Sequence, residues 1–287
     1  MFTFLHTYLP SPIILSAWHI TIRWYGLFIG IAVLASIGVA IKIGKRYGIR
    51  KNAVIDISFW LVAWGILGAR LYHVLNELPF YLSRPAAIFK IWEGGLAIHG
   101  AIIAGTIVIL KAAKRLKKGE AHTTDTRTAL TLLDVFTPAL LLGQALGRLG
   151  NYFNQELFGA PSSLPWSIPI AMEHRPPGFE NFSHFHPTFL YESLWDLSGF
   201  LLLIILLKRS KNNSLFQKKG AVAASYLIIY SLGRTLTEFL RIDRTPHIFG
   251  VRLPMIVSIV CIASGLIFLA IIKITKKSTQ LLQDVAN

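Results

Sequence analysis

The chain has 287 residues, of which 53% are hydrophobic and only 15% are charged, a balance that excludes an ordinary soluble domain. Its formal net charge of +15 would suggest a nucleic-acid partner in a soluble protein. Here Lys and Arg lie in short segments between long apolar runs, which is typical of membrane proteins, so no nucleic acid is expected.

Seven apolar segments follow one another, each close to the roughly 20 residues that a helix needs to cross a bilayer. They predict an all-α integral membrane protein with about seven transmembrane helices, forming a single polytopic domain over residues 1–287. The predicted spans are 20–41, 53–76, 94–112, 129–148, 187–207, 220–240 and 254–273. Residues 1–17 lack the basic start of a signal peptide, so we expect them at the membrane surface.

Positive charge alternates from loop to loop and predicts the orientation. The loops after the first, third and fifth spans and the C-terminal tail are rich in Lys and Arg, and such segments are cytoplasmic. The N-terminus is then outside and the C-terminus is cytoplasmic. The long connection at about 149–186 lies outside, and we interpret it as a lid or docking segment, with a plain connector as the alternative.

Polar and ionisable side chains collect near the outer ends of the predicted spans. Ionisable groups inside a span are costly and are therefore functional suspects. The layer contains Tyr25, Arg70, His73, His99, Arg148, Asn151, Arg234, Glu238 and Arg241. Because an arginine fork suits bidentate binding of phosphate, its arginines predict a lipid phosphate as ligand. For any single arginine, the alternative is a side chain that simply reaches the interface.

Spacing within two helices supports a shared site. Arg234, Glu238 and Arg241 follow at i, i+4 and i+7, which places them on one helical face. Glu238 would then hold one arginine while the other faces the ligand, and a salt bridge between helices is the alternative. Arg148 and Asn151, at i and i+3, begin the chain's densest stretch of glycines and polar residues.

Histidine chemistry points to proton transfer rather than to a metal. A histidine near the interface, such as His99, can act as a general base at neutral pH, and a hydrogen bond to a neighbouring helix is the alternative. The nine histidines form no metal-binding spacing, so no metal is expected.

The single cysteine, Cys261, lies in an apolar run without polar neighbours that would activate a thiol.

Five motifs, in order, resemble those of the prolipoprotein diacylglyceryl transferase family. Residues 147–159, GRLGNYFNQELFG, match every fixed position of the signature G-R-x-G-N-[FY]-x-N-x-E-x-x-G. The other motifs are RWYG at 23–26, GGLAIHG at 94–100, HPTFLYE at 186–192 and GRTLTEFLR at 233–241. Phe189 departs from the family pattern, because many relatives have Gln at this position.

The resemblance implies an activity and its partners. The family transfers the diacylglyceryl group of phosphatidylglycerol to the lipobox cysteine thiol of a prolipoprotein signal peptide. The reaction forms a thioether, releases glycerol phosphate and is the first step of bacterial lipoprotein maturation. The resemblance also implies a multi-pass protein of the bacterial cytoplasmic (inner) membrane, surrounded by membrane lipids, with a site toward the outer leaflet and no cofactor.

Individual residues take expected roles from the resemblance. The expected catalytic residues are His99, Arg148, Arg234 and Tyr25, and the expected substrate-binding residues are Arg148, Asn151, Glu156, Gly159, Arg234, Glu238 and Arg241. His99 would be the base, directly or through a neighbour, while Arg148 and Arg234 would stabilise the leaving phosphate. Tyr25, Asn151 and Glu156 would orient the headgroup or the thiol. Glu238 would position Arg234, and Gly159 would allow close approach of the loop.

Two other functions are compatible with the polar layer. A transporter or flippase for an anionic lipid also needs arginines, although it should offer polar groups through the full membrane depth. A structural or partner-binding membrane protein would use the same residues to join helices. Release of glycerol phosphate would separate the transferase from the transporter, and intact lipoprotein processing after mutation of Arg148 and Arg234 would favour the structural protein.

Overall fold

The computed structural model describes residues 6–18, 20–117, 124–209 and 215–286. Helices dominate it, and each predicted span coincides with one long helix. In chain order the helices are α1 (Trp24–Arg46), α2 (Lys51–Asn76), the short α3 (Leu78–Ser83), α4 (Ile98–Lys117), α5 (Asp125–Phe153), α6 (Thr188–Arg209), α7 (Ala221–Glu238) and α8 (Leu253–Ala286). Within the described part of the chain, α1, α2, α5, α6 and the Leu253–Ile274 part of α8 are long and apolar enough to cross a membrane.

Three helix boundaries differ from the predicted ones for local reasons. Helix α1 begins at Trp24 rather than at residue 20, because the preceding residues form a strand. Helix α4 begins at Ile98 rather than at 94, since Gly94 and Gly95 have φ angles of +94° and +71°, which a right-handed helix excludes. Helix α5 continues to Phe153, so the predicted site residues near position 150 lie inside it.

Short antiparallel ribbons lie in the connections. Their strands are β1 (Ile13–Ala17) with β2 (Ile20–Arg23), β3 (Ile168–Pro169) with β4 (His184–Phe185), and β5 (His247–Ile248) with β6 (Val251–Arg252). Single 3-10 turns occupy Pro85–Phe89, Ile91–Glu93 and Met172–His174. The third ribbon places Arg252 shortly after the end of α7, and this placement matters for the site.

The described residues form two compact units. The first comprises Met1–Val39 with Phe136–Asn287, and the second comprises Ala40–Val135. In the first unit α7 packs against both α6 and α8, and in the second α2 packs against α4. Gly68 and Gly100 allow the latter contact, because a Cβ on either would collide with the backbone of the other.

The connection between α5 and α6 is a folded segment. Its apolar core is formed by Tyr152, Phe158, Ile168, Ile170, Phe185 and Phe189. Gln155, in a left-handed conformation with φ +52°, accepts a hydrogen bond from the Ala171 amide (2.7 Å) and donates one to the Pro10 carbonyl (3.0 Å). The connection interpreted from sequence as a lid or docking segment thus has a fixed structure at the end of α5.

Candidate functional site

The centre of the site is the buried carboxylate of Glu192 on α6, whose side chain is 4% exposed. Its Oε2 lies 2.7 Å from Nη2 of Arg148 on α5, and its Oε1 lies 2.8 Å from Nη1 of Arg234 on α7. The Thr237 hydroxyl also donates a hydrogen bond to Oε1, at 3.0 Å. One carboxylate therefore joins three helices and brings together the two arginines predicted to bind phosphate.

The second carboxylate of the cluster is Glu238, which is fully buried. Its Oε2 lies 2.6 Å from Nη2 of Arg234, so the predicted pair one helical turn apart is confirmed. Its Oε1 accepts a hydrogen bond of 2.6 Å from Nε of Arg252 in β6. Glu238 thus pairs with Arg234 through one carboxylate oxygen and with Arg252 through the other.

Arg241 does not continue the face of α7, and this part of the prediction is wrong because the helix ends at Glu238. The Arg241 side chain instead pairs with Asp243 at 2.6 Å and lies 3.5 Å from Oε1 of Glu192. Burial alone would raise the pKa of Asp243. The hydrogen bond from Arg241 and the charges of Arg241 and Arg252 outweigh that effect, so the pKa lies below its ordinary value.

Among the described residues of this cluster, four arginines form ion pairs with three carboxylates, which leaves one net positive charge. The arginines are 148, 234, 241 and 252, and the carboxylates are Glu192, Glu238 and Asp243. Arg148 is the most available of the four. Within the described part of the chain it makes one ion pair and no further hydrogen bond, so most of its five N–H groups can meet a ligand.

A small cleft opens at this cluster. It is lined by Arg148, Glu192, Trp195, Asp196, Tyr230, Gly233 and Arg234. Asp196 lies one helical turn after Glu192 and is 3% exposed. Its Oδ2 has no hydrogen-bond partner among the described residues. The net charge of the cleft is therefore zero when Asp196 is ionised and +1 when it is protonated.

Tyr25, Asn151 and Glu156 form a second group beside the cluster. The amide of Asn151 donates to Oε1 of Glu156 at 2.8 Å, and Asn154 donates to the same oxygen at 3.1 Å. The Tyr25 hydroxyl is within electrostatic range of Glu156 and Arg148. Tyr25 also packs so closely on Gly150 that a Cβ there would lie 2.8 Å from its ring. The structure thus places these three predicted residues together.

Gly159 lies where two backbone segments meet. Its amide donates to the His186 carbonyl at 2.8 Å, and the next amide, of Ala160, donates to the Leu240 carbonyl at 2.7 Å. A Cβ on Gly159 would lie 2.7 Å from a Thr188 methyl carbon and 2.8 Å from the Leu240 carbonyl oxygen. The position admits only glycine without rearrangement, as the predicted close approach requires.

His99 and Arg70 belong to the second compact unit. The exposed His99 ring, in the first turn of α4, lies 5.5 Å from the Tyr72 ring, measured between centroids.

Arg70 donates five hydrogen bonds to backbone carbonyls, those of Ala87, Ile88, Lys90, Gly94 and Gly95. Because a guanidinium has five N–H groups, none is left for a phosphate, and the predicted ligand role of Arg70 is wrong.

Sequence reasoning missed Glu192, Asp196 and Arg252 as site residues. For the two acids the signal was present, since a carboxylate within an apolar span is a functional suspect. Arg252 gave no such signal, because only the β5–β6 turn brings it back to Glu238. In the described residues no group of three or more His, Cys, Asp or Glu is placed to hold a metal ion.

Comparison with known proteins gives concordant matches over most of the chain. The profile of the family described as prolipoprotein diacylglyceryl transferase matches residues 12–271. A relative from Nostoc sp., named phosphatidylglycerol–prolipoprotein diacylglyceryl transferase, is 44% identical over 93% of this chain and 91% of its own length. A relative of the same name from Synechococcus elongatus is also 44% identical, over 94% of this chain and 90% of its own length.

Proposed function

Because the chain belongs to the prolipoprotein diacylglyceryl transferase family, we propose that it transfers the diacylglyceryl group of phosphatidylglycerol to a prolipoprotein. The acceptor is the thiol of the lipobox cysteine in the signal peptide. The products are a thioether-linked lipoprotein precursor and glycerol phosphate, and the reaction is the first step of lipoprotein maturation.

One observation supports the site of this reaction above all others, namely the pairing of Arg148 and Arg234 with the single carboxylate of Glu192. The pairing holds two guanidinium groups at one small cleft before any substrate binds. Preorganised cations of this kind stabilise charge that develops on a leaving group, because they need no reorganisation during the reaction. Arg148, with most of its N–H groups available, is the principal phosphate ligand in this proposal.

The chemical step is a substitution at carbon. The substrate thiol loses its proton, and its sulfur attacks the diacylglyceryl carbon that carries the phosphate oxygen. The S–C bond forms as the C–O bond breaks, and the electron pair of that bond stays with the phosphate oxygen beside the arginines. His99 accepts the thiol proton in the proposed scheme, directly or through a neighbouring group.

Other residues would position the reactants. Tyr25, Asn151 and Glu156 orient the headgroup or the thiol. One carboxylate oxygen of Glu156 accepts hydrogen bonds from two side-chain amides. Glu238 positions Arg234, and Arg241 supports the substrate-binding cluster through its contact with Glu192. Gly159 keeps the connection between α5 and α6 close to the end of α7.

In the proposed topology the protein is one polytopic domain with seven spans in the bacterial cytoplasmic (inner) membrane. Helices α4 and α7 cross the bilayer together with the five more apolar helices. The charge pattern of the loops places the N-terminus outside and the C-terminus in the cytoplasm. The site then faces the outer leaflet, and the folded connection after α5 serves as a lid or as a docking surface for the signal peptide.

The proposal can be tested with purified enzyme in vesicles of phosphatidylglycerol and a lipobox peptide. The wild type should form thioether and release glycerol phosphate in equal amounts. Arg148→Ala should lower the rate at least about a hundredfold, because a preorganised donor to developing charge typically contributes a factor of this size. The matched control is Arg244→Ala, since Arg244 is an exposed arginine after α7.

Three results would contradict the proposal. Movement of lipid between leaflets without release of glycerol phosphate would indicate a transporter or flippase. Full thioether formation by Arg148→Ala would remove that residue from phosphate binding. Equal loss of activity in Arg148→Ala and Arg244→Ala would show a general effect of surface charge instead of a role for the cleft.

A further inference from the structure

The cleft contains one buried acceptor that the proposed chemistry does not use. Asp196 lines the same cleft as Arg148 and Arg234 and is 3% exposed. Its Oδ2 has no hydrogen-bond partner within the described residues. A buried polar atom without a partner carries a substantial free-energy penalty, so its presence beside a ligand cleft calls for a partner that arrives with the ligand.

The surroundings of Asp196 restrict what that partner is. Arg148 is within electrostatic range of the carboxylate, but its one ion pair among the described residues is with Glu192. When Asp196 is ionised, the ligand group that meets Oδ2 donates a hydrogen bond, because a carboxylate oxygen accepts. It must also sit next to the group bound by the two arginines, since all three side chains line the same small cleft.

We propose that Asp196 is a specificity-determining residue, which accepts a hydrogen bond from a hydroxyl of the glycerol headgroup while Arg148 and Arg234 hold the adjoining phosphate. This inference rests on the proposed function and deepens it. The phosphate is common to all phospholipids, whereas the headgroup hydroxyls are not. The arginines bind the phosphodiester in general, and Asp196 selects the lipid whose headgroup is a polyol.

The selection depends on the free-energy cost of a buried hydrogen-bond acceptor that has no donor. A site built to bind a substrate hydroxyl rejects the analogue that lacks it, because the buried protein group then stays unpaired. A hydrogen bond to a charged group contributes about 1.5–3 kcal/mol, equivalent to a preference of roughly 10- to 150-fold. Phosphatidylethanol is the matched analogue, since it has the same phosphodiester and charge but no headgroup hydroxyl.

The test measures kcat/KM for thioether formation with phosphatidylglycerol and with phosphatidylethanol. The wild type should prefer phosphatidylglycerol by at least about tenfold. Asp196→Leu, of similar size but without an acceptor, should lose that preference through a slower reaction with phosphatidylglycerol alone. Asp196→Asn retains an acceptor oxygen without the charge and should keep a smaller preference for phosphatidylglycerol. A structural role would slow both lipids equally in Asp196→Leu, and that result would overturn the proposal.

A second measurement needs no variant and stands even when Asp196→Leu fails to fold. Glycerol phosphate and ethyl phosphate are compared as competitive inhibitors of the wild type, and glycerol phosphate should bind at least about tenfold more tightly. Equal inhibition would overturn the role of Asp196. Failure of the proposed function itself looks different, because the wild type would then form no thioether from phosphatidylglycerol.

Discussion

At the scale of single residues, the carboxylate of Glu192 forms ion pairs with Arg148 and Arg234 and accepts a hydrogen bond from Thr237. A buried carboxylate in this position has two effects. It stabilises the packing of three helices, and it sets the spacing of the two guanidinium groups that face the cleft. Loss of its charge should therefore change both folding and catalysis.

Glu192→Gln keeps the size of the side chain and removes the charge. Breaking a buried ion pair by removing one partner costs about 3–5 kcal/mol, so the melting temperature in detergent should fall clearly. Thioether formation should fall at least about tenfold, since the arginines lose their shared anchor. The control is Glu180→Gln, an exposed glutamate in the connection after α5, which should leave both quantities near wild type. Wild-type activity and stability of Glu192→Gln would contradict this account of the cluster.

Asp243 gives the cluster a predictable response to acid. Its folded-state pKa is lowered, so it contributes stability that is fully present above the unfolded pKa of about 3.9 and is lost as the pH falls through the folded value. Thermal unfolding between neutral pH and about pH 3 should therefore show a steeper acid loss in the wild type than in Asp243→Asn. Identical acid profiles would show that the Arg241–Asp243 pair does not stabilise the fold.

At the scale of elements, close approach of α1 and α5 depends on Gly150. A Cβ at this position would lie 2.8 Å from a Tyr25 ring carbon and 3.1 Å from the Tyr25 Cα. Gly150→Ala should therefore shift α1, displace the Tyr25 hydroxyl and lower both stability and activity. Gly147→Ala is the matched control one turn earlier, because its Cβ would meet the Ile29 side chain at an ordinary 3.4 Å.

The two glycine variants are compared by melting temperature and by thioether formation. Overpacking of a tight contact typically costs about 1–3 kcal/mol, whereas alanine in an open helical position is neutral or slightly stabilising. A larger loss in Gly150→Ala than in Gly147→Ala is the expected result. Equal values for both variants would contradict the close contact between α5 and Tyr25.

At the scale of the whole molecule, the proposed orientation can be measured by thiol labelling in a Cys261→Ser background. Ser163 lies in the connection after α5, and Lys45 lies near the end of α1. An impermeant maleimide should label Ser163→Cys on intact cells and Lys45→Cys only after the membrane is opened. The reverse pattern would invert the topology and place the arginine cluster at the cytoplasmic face.

The sequence predicted the helices well because spans of apolar residues have few alternatives in a bilayer. It also predicted the Arg234–Glu238 pair, since spacing within a helix fixes which side chains meet. The sequence could not predict contacts of residues that a turn of the chain brings back to a helix. Arg252 reaches Glu238 through a hairpin, and Arg241 pairs with Asp243 and Glu192 from outside α7, which ends three residues earlier. Arg70 looked like a ligand from depth alone, although its donors are all used by backbone carbonyls.

The proposed reaction depends on a phospholipid phosphate bound between Arg148 and Arg234, at the cleft centred on Glu192. A structure determined with phosphatidylglycerol bound would show the position of this phosphate. We expect phosphate oxygens within about 3 Å of guanidinium nitrogens of both arginines, the distance of a charge-assisted hydrogen bond. A headgroup bound elsewhere, with neither Arg148 nor Arg234 in contact with its phosphate, would contradict the claim.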